Sequence, residues 1–89
     1  MPKEYIAALN ILVNDREVNA PEINEIITKN GRLVLARLGM HLSRKCVKNC
    51  SGLITLIVEG EKKELEKLAK DFSKYKFTVV KLCFISEVK

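Results

Sequence analysis

Two cysteines and the only histidine of the chain stand close together in the sequence. Cys46 and Cys50 form a C-x3-C pair, and His41 precedes them. Thiolate sulfur and imidazole nitrogen are ligands that transition metals accept in proteins. His41, Cys46 and Cys50 therefore form a candidate metal site, with zinc, iron and nickel as the candidate ions.

The cysteine spacing also fits a plainer interpretation. The pair is not the C-x2-C of zinc fingers, no second pair follows it, and Cys83 is far along the chain. A mononuclear site would need a further ligand from water or from a second subunit. Ordinary thiols on a loop explain the pattern without any metal. Because we expect a cytoplasmic protein, we expect thiols or metal ligands rather than a disulfide framework.

Positive charge concentrates around the second predicted strand and the loop after it. The chain carries a formal net charge of +5, and the basic residues of this region are Arg32, Arg37, Arg44, Lys45 and Lys48. Such a cluster attracts anionic ligands or partners, and nucleic acid is one alternative. A run of charges is otherwise simply a solvated surface. Arg37 is our candidate ligand-binding residue here.

The apolar pattern predicts the elements that must position these residues. Strands are predicted at 5–13, 32–38, 53–58 and 76–85 from the alternation of side chains. A first helix is predicted from Asn19, with Pro21 in its first turn, and a second one from Gly60. The order βαββαβ uses nearly all of the 89 residues. It predicts one α+β domain, residues 1–89, with a four-stranded antiparallel sheet and two helices on one face.

One face of this sheet is predicted to stay uncovered. The first strand is apolar on both faces, with Ile6, Ala8 and Leu12 on one of them. Two helices cover only one face of a four-stranded sheet, and an uncovered apolar face is an interaction site. We therefore expect self-association through this face or its edges. The alternative is that loop or C-terminal residues cover it.

Several function classes find little support in the residues. One histidine, no glycine-rich phosphate loop and no Ser/His/Asp set argue against an enzyme. An RNA-recognition motif would place aromatic residues on the first and third strands, and this chain offers only Tyr5. No apolar run reaches the ~18 residues of a membrane span, and residues 1–4 show no signal-peptide pattern. We expect a cytoplasmic protein with no membrane partner.

Several short segments between Ile6 and Phe84 together form a recognisable pattern. They are Leu12-Val13-Asn14-Asp15-Arg16, Ile23-Asn24-Glu25-Ile26-Ile27, Asn30-Gly31, Arg37-Leu38-Gly39-Met40, residues 53–60 and residues 77–81. The pattern resembles a family of small ACT-like regulators that are associated with iron-only hydrogenase systems. The resemblance implies a ferredoxin-like, ACT-type fold, a dimer or tetramer, and a non-enzymatic regulatory or sensing role toward a small effector or protein partner.

The resemblance also implies where a ligand would bind. Family ligand sites lie near subunit interfaces and use the loop after the first strand, where this chain has Asn14, Asp15 and Arg16. Asn and Asp are equally common in turns and at the start of helices, so these residues have a structural explanation as well.

Two departures from related proteins bear on function. The effector domain of the nickel-responsive repressor is similar in fold, and that repressor binds DNA through a separate ribbon-helix-helix segment. No such segment precedes Tyr5 here, so direct DNA binding is doubtful. The family also has a proline and no cysteine pair where this chain carries residues 40–51. The metal-binding alternative depends on that departure.

Overall fold

The elements of the chain follow the predicted order in a computed structural model, which describes residues 3–41 and 50–88. They are β1 (Glu4–Val13), α1 (Arg16–Lys29), a short 3-10 helix (Gly31–Leu33), β2 (Val34–His41), β3 (Gly52–Glu61), α2 (Lys62–Ser73) and β4 (Thr78–Glu87). The four strands form one antiparallel sheet in the order β2-β3-β1-β4. The predicted ferredoxin-like α+β fold is confirmed.

The core lies between the sheet and the two helices. Every second residue of β1 from Ala7 to Val13 is fully buried, and the β3 residues opposite them are buried too. The helices contribute Ile23, Ile26, Ile27, Leu65, Leu68 and Phe72. Burying each large apolar side chain contributes about 1.5–3 kcal/mol. Because both helices lie on this one side, they fix which face of the sheet stays open.

The first helix begins earlier than the sequence predicts. It starts at Arg16 rather than near Asn19, and Asp15 precedes it with left-handed φ and ψ of 48° and 63°. Asp tolerates this conformation better than most residues. Pro21 therefore lies inside the helix instead of in its first turn, where its missing N–H removes one backbone hydrogen bond. Asn19 donates through Nδ2 to the carbonyl of Asn14 at 2.6 Å.

The second strand also differs from its prediction. It begins at Val34, after the 3-10 helix, and continues to His41. The register against β3 shifts between Val34 and Ala36, which interrupts the alternation of faces. Beyond the shift, Arg37 and Gly39 lie on the helix side of the sheet, opposite buried residues of β3. This placement creates the cleft described below.

Candidate functional site

A cleft of about 310 Å³ lies between α1 and the C-terminal half of β2. Its lining comprises Ala20, Asn24, Arg37, Gly39, Met40, Leu53 and Ile54. The cleft exists because the helix layer does not cover the edge strand here. Arg37 and Gly39 stay exposed although they lie on the helix side of the sheet. Small residues, Ala20 on one wall and Gly39 on the other, keep the cleft wide.

Arg37 is the one charged side chain among the described residues that line this cleft. Its Nη2 donates to the Oδ1 of Asn24 at 2.7 Å. The ion pairs that join described residues do not include Arg37. Its positive charge is therefore held in place by a neutral amide and is not neutralised by a carboxylate within the described part of the chain.

Arg32, the other described arginine of the basic region, has different surroundings. Its Nη2 lies 2.6 Å from the Oε2 of Glu64. The Arg32 guanidinium, followed by the donated backbone N–H of Glu61, holds the pKa of the Glu64 carboxyl below its usual value. The predicted basic cluster thus divides into a paired arginine and an unpaired one. Arg44, Lys45 and Lys48 lie outside the described residues.

Asn14 joins four elements at the end of β1. Its backbone N–H donates to the carbonyl of Phe77 at 2.8 Å, and its carbonyl accepts from Asn19 at 2.6 Å. Its Oδ1 accepts from the hydroxyl of Ser51 at 3.1 Å. These contacts connect the turn after β1 with α1 and with the residues that precede β3 and β4. They give Asn14 a structural role.

The predicted ligand loop and the cleft are separate. Neither Asn14 nor Asp15 lines the cleft that Arg37 lines, and the side chain of Arg16 lies outside what the structure describes. A ligand role for Asn14, Asp15 and Arg16 stays a prediction. The structure brings Arg37 together with Asn24 and Gly39 instead.

The predicted metal residues fall largely outside the described part of the chain. His41 is the last residue of β2, and its side chain, like Cys46, is not described. Cys50 is disulfide-bonded, whereas Cys83 is a free and exposed thiol. No group of three or more His, Cys, Asp or Glu residues among residues 3–41 and 50–88 could hold a metal ion. The metal site stays a prediction.

The disulfide corrects one expectation. Cys50 is disulfide-bonded, whereas the sequence predicts a thiol, and its role as a metal ligand stays a prediction. The cellular compartment sets how oxidising the surroundings of a thiol are. The path of the chain decides which sulfur atoms come within bonding distance. Because a metal binds the thiolate, Cys50 must first be reduced before it can act as a ligand.

The side of the sheet away from the helices is largely apolar, and we call it the open face. Its residues are Ile6, Ala8, Asn10, Leu12, Ala36, Leu38, Met40, Leu53, Thr55, Ile57, Glu59, Val79, Lys81 and Cys83. Leu38 and Val79 remain 59% and 47% exposed. The two central polar residues bond to each other, because the Thr55 hydroxyl donates to the Oδ1 of Asn10 at 2.9 Å. Within residues 3–41 and 50–88, the sheet thus has the apolar face without a helix that the sequence predicts.

Sequence reasoning missed two residues of the cleft, Asn24 and Gly39. Both stand in segments that carry the family resemblance, Ile23-Asn24-Glu25 and Arg37-Leu38-Gly39. Their position in these segments is the signal that could have identified them as candidate site residues. What the sequence does not show is that these two segments face one another across the edge of the sheet.

Solved structures share this fold. TM1266, an uncharacterized protein from Thermotoga maritima, superposes with a TM-score of 0.79 at 22% identity, over 93% of this chain and 99% of that one. CPII from Thiomonas intermedia K12, bound to ADP, AMP and acetate, gives 0.57 at 17% identity over 98% and 92% of the two chains. The de novo designed protein Foldit4 gives 0.56 at 16% identity over 93% and 97%. These likenesses show the fold alone.

The sequence itself matches a family model. No curated protein matches the chain at the significance that we required. The TM1266-like family, described as "Iron-only hydrogenase system regulator, putative", matches residues 5–81. That range includes β1, both helices, β2, β3 and the beginning of β4. The chain therefore belongs to the TM1266-like family of iron-only hydrogenase system regulators.

Proposed function

We propose that this protein is a non-catalytic, cytoplasmic regulatory module of an iron-only hydrogenase system. It acts as a homo-oligomer that assembles through the open face and responds to a small effector in the cleft beside Arg37. Family membership supports the regulatory role. The observation that carries the assembly is the open face, an apolar sheet surface over which the described part of the chain places no helix.

The pattern of the open face favours a second copy of the chain as its partner. A two-fold axis parallel to the strands and midway between β1 and β3 lays β1 of one copy over β3 of the other. In this register Leu12 lies over Leu53, and the small Ala8 lies over the larger Ile57. The two-fold axis produces each contact twice. The small Ala8 therefore packs against the larger Ile57 on both sides of the axis.

The polar residues of the open face are compatible with this packing. Asn10 and Thr55 already bond to each other, and the axis places the remaining NH2 group of Asn10 over Thr55 of the other copy, where it can be paired. Lys81 lies on the edge strand β4, and the same axis places it over Leu38. Its methylene stem can cover apolar surface while its ammonium group stays in water.

The test is the native mass of the protein and of two matched variants. Leu38→Glu puts a charge on the open face, and Val18→Glu puts one on an equally exposed apolar residue of α1, since the two residues are 59% and 67% exposed. We expect the wild type and Val18→Glu to have a multiple of the 10.1 kDa chain mass. We expect Leu38→Glu to dissociate, because buried charge is costly. A monomeric wild type, or an unchanged Leu38→Glu oligomer, contradicts the proposed assembly.

A further inference from the structure

The cleft beside Arg37 combines one fixed cation with apolar walls. We infer that it binds a small organic monocarboxylate with an apolar body. This inference names the effector class of the proposed function and rests on it. Three properties of the cleft support this inference: the guanidinium group of Arg37, the lining residues and the volume.

The guanidinium of Arg37 is oriented but keeps most of its donors. One N–H group is used by the Oδ1 of Asn24 at 2.7 Å. The planar fork of an arginine has five donors and matches the two oxygens of a carboxylate. Since Asn24 accepts through its oxygen, its NH2 group is left as a further donor toward a bound anion. No described carboxylate competes for Arg37.

The rest of the lining selects an apolar body and disfavours an ammonium group. The described walls are mainly apolar, with Ala20 and Ile54 among them. No Asp or Glu residue is among the described lining residues, so a ligand ammonium group would find no counter-charge there. A volume of about 310 Å³ is at the lower end of the range for small-molecule sites. An uncharged hydrocarbon group attached to one carboxylate fits these properties better than inorganic phosphate or a zwitterion.

Gly39 allows the cleft to be filled without disturbing the fold. A Cβ atom placed on Gly39 would have no atom within 4 Å. Gly39 pairs with Ile54 on the helix side of the sheet, so a larger side chain there projects toward the cleft. Valine also suits a strand better than glycine. Gly39→Val should therefore block the ligand while the protein stays folded.

The experiment is an NMR titration of the uniformly 15N-labelled full chain. The probes are benzoate and 3-methylbutanoate, with benzamide as the neutral counterpart of benzoate and inorganic phosphate as the bare anion. We expect saturable shifts at the amides of Ala20, Asn24 and Gly39 with both carboxylates. We expect benzamide and phosphate to bind at least about tenfold more weakly, because benzamide lacks the charged carboxylate and phosphate lacks the apolar body.

Three variants locate the site. Arg37→Gln should weaken benzoate at least about tenfold, and Gly39→Val should abolish its binding. Arg32→Gln removes an arginine outside the cleft and should leave benzoate binding unchanged. Thermal melts of each variant establish that it is folded.

Several outcomes would overturn the inference: no saturation with either carboxylate, equal binding of benzamide or phosphate, or unchanged binding in Arg37→Gln or Gly39→Val. The native mass of the same samples is measured in parallel. An intact oligomer that ignores carboxylates contradicts the ligand class alone, whereas a monomer contradicts the proposed assembly.

Discussion

Two arginines five positions apart show how surroundings decide what a residue can do. Arg32 lies 2.6 Å from a carboxylate oxygen of Glu64, and both groups are in contact with solvent. Arg37 bonds only to a neutral amide oxygen among the described residues. Arg32 is therefore paired with a carboxylate of the fold, while Arg37 has no carboxylate partner among the described residues. A charge count along the sequence treats the two as equivalent.

The pairing of Arg32 makes a prediction about pH. The pKa of Glu64 is lower in the folded chain than in the unfolded one, because Arg32 and the Glu61 N–H favour its ionised form. The resulting stabilisation is present above the unfolded pKa and is lost as the pH falls through the folded pKa. We expect Arg32→Gln to lower the Tm modestly at neutral pH, with the difference from wild type vanishing in acid.

Circular dichroism melts of both proteins from pH 7 to about pH 2 measure this difference. Arg37→Gln is the matched control, since its partner amide does not titrate in this range. A difference between Arg32→Gln and wild type that stays constant across the acid range would contradict the assignment to Glu64.

At the scale of elements, one side chain adds to the backbone hydrogen bonds of the turn from α2 into β4. The hydroxyl of Thr78 lies 2.7 Å from the carbonyl oxygen of Phe72 and 2.9 Å from that of Tyr75. The same two carbonyl groups accept backbone N–H groups, from Tyr75 at 3.4 Å and from Thr78 at 3.2 Å. Thr78 therefore contributes the shortest hydrogen bond between the end of α2 and the first residue of β4.

Thr78→Val tests this connection while keeping the shape and strand preference of the side chain. We expect it to lower the free energy of unfolding by about 1 kcal/mol, because the carbonyl of Phe72 loses its shortest hydrogen bond. Urea denaturation measures the change. Thr28→Val is the control, since Thr28 is exposed on α1 and should change stability by less than about 0.5 kcal/mol. Equal losses in the two variants would show that the hydroxyl contact does not matter.

At the scale of the whole molecule, the described helices cover one of the two faces of the sheet. The buried core lies on the helix side of the sheet, and the open face is apolar without being covered by a described helix. The sheet therefore has two apolar faces, and the described helices pack on only one of them. Association of two open faces would complete a sandwich, with sheets about 10 Å apart.

Coupling of folding to assembly predicts that thermal stability depends on protein concentration. If the open faces associate, a hundredfold rise in concentration stabilises the oligomer by about 2.7 kcal/mol. We expect the Tm of the wild type to rise with concentration and that of Leu38→Glu to stay constant. Calorimetry at several concentrations measures both. A wild-type Tm that is independent of concentration would argue for a monomeric folding unit.

The sequence by itself determined the fold. The alternation in β1 predicts which residues are buried, and the apolar stripe Leu65, Leu68 and Phe72 predicts the inner side of α2. These patterns are local, because a strand repeats every two residues and a helix every 3.6. The open face followed from them as well, since two helices can cover only one side. No helix among the described residues is long and apolar enough to span a membrane.

Only the tertiary structure decided which groups meet. The register shift after Val34 leaves Leu33 buried and Leu35 exposed, although simple alternation would place them on one face. Gly60 is packed so closely that an added Cβ would lie 3.0 Å from the Cδ2 of Leu33. Arg37 meets Asn24, and Cys50 forms a disulfide. Such contacts depend on register and on the meeting of distant segments, and neither leaves a periodic signal in the sequence.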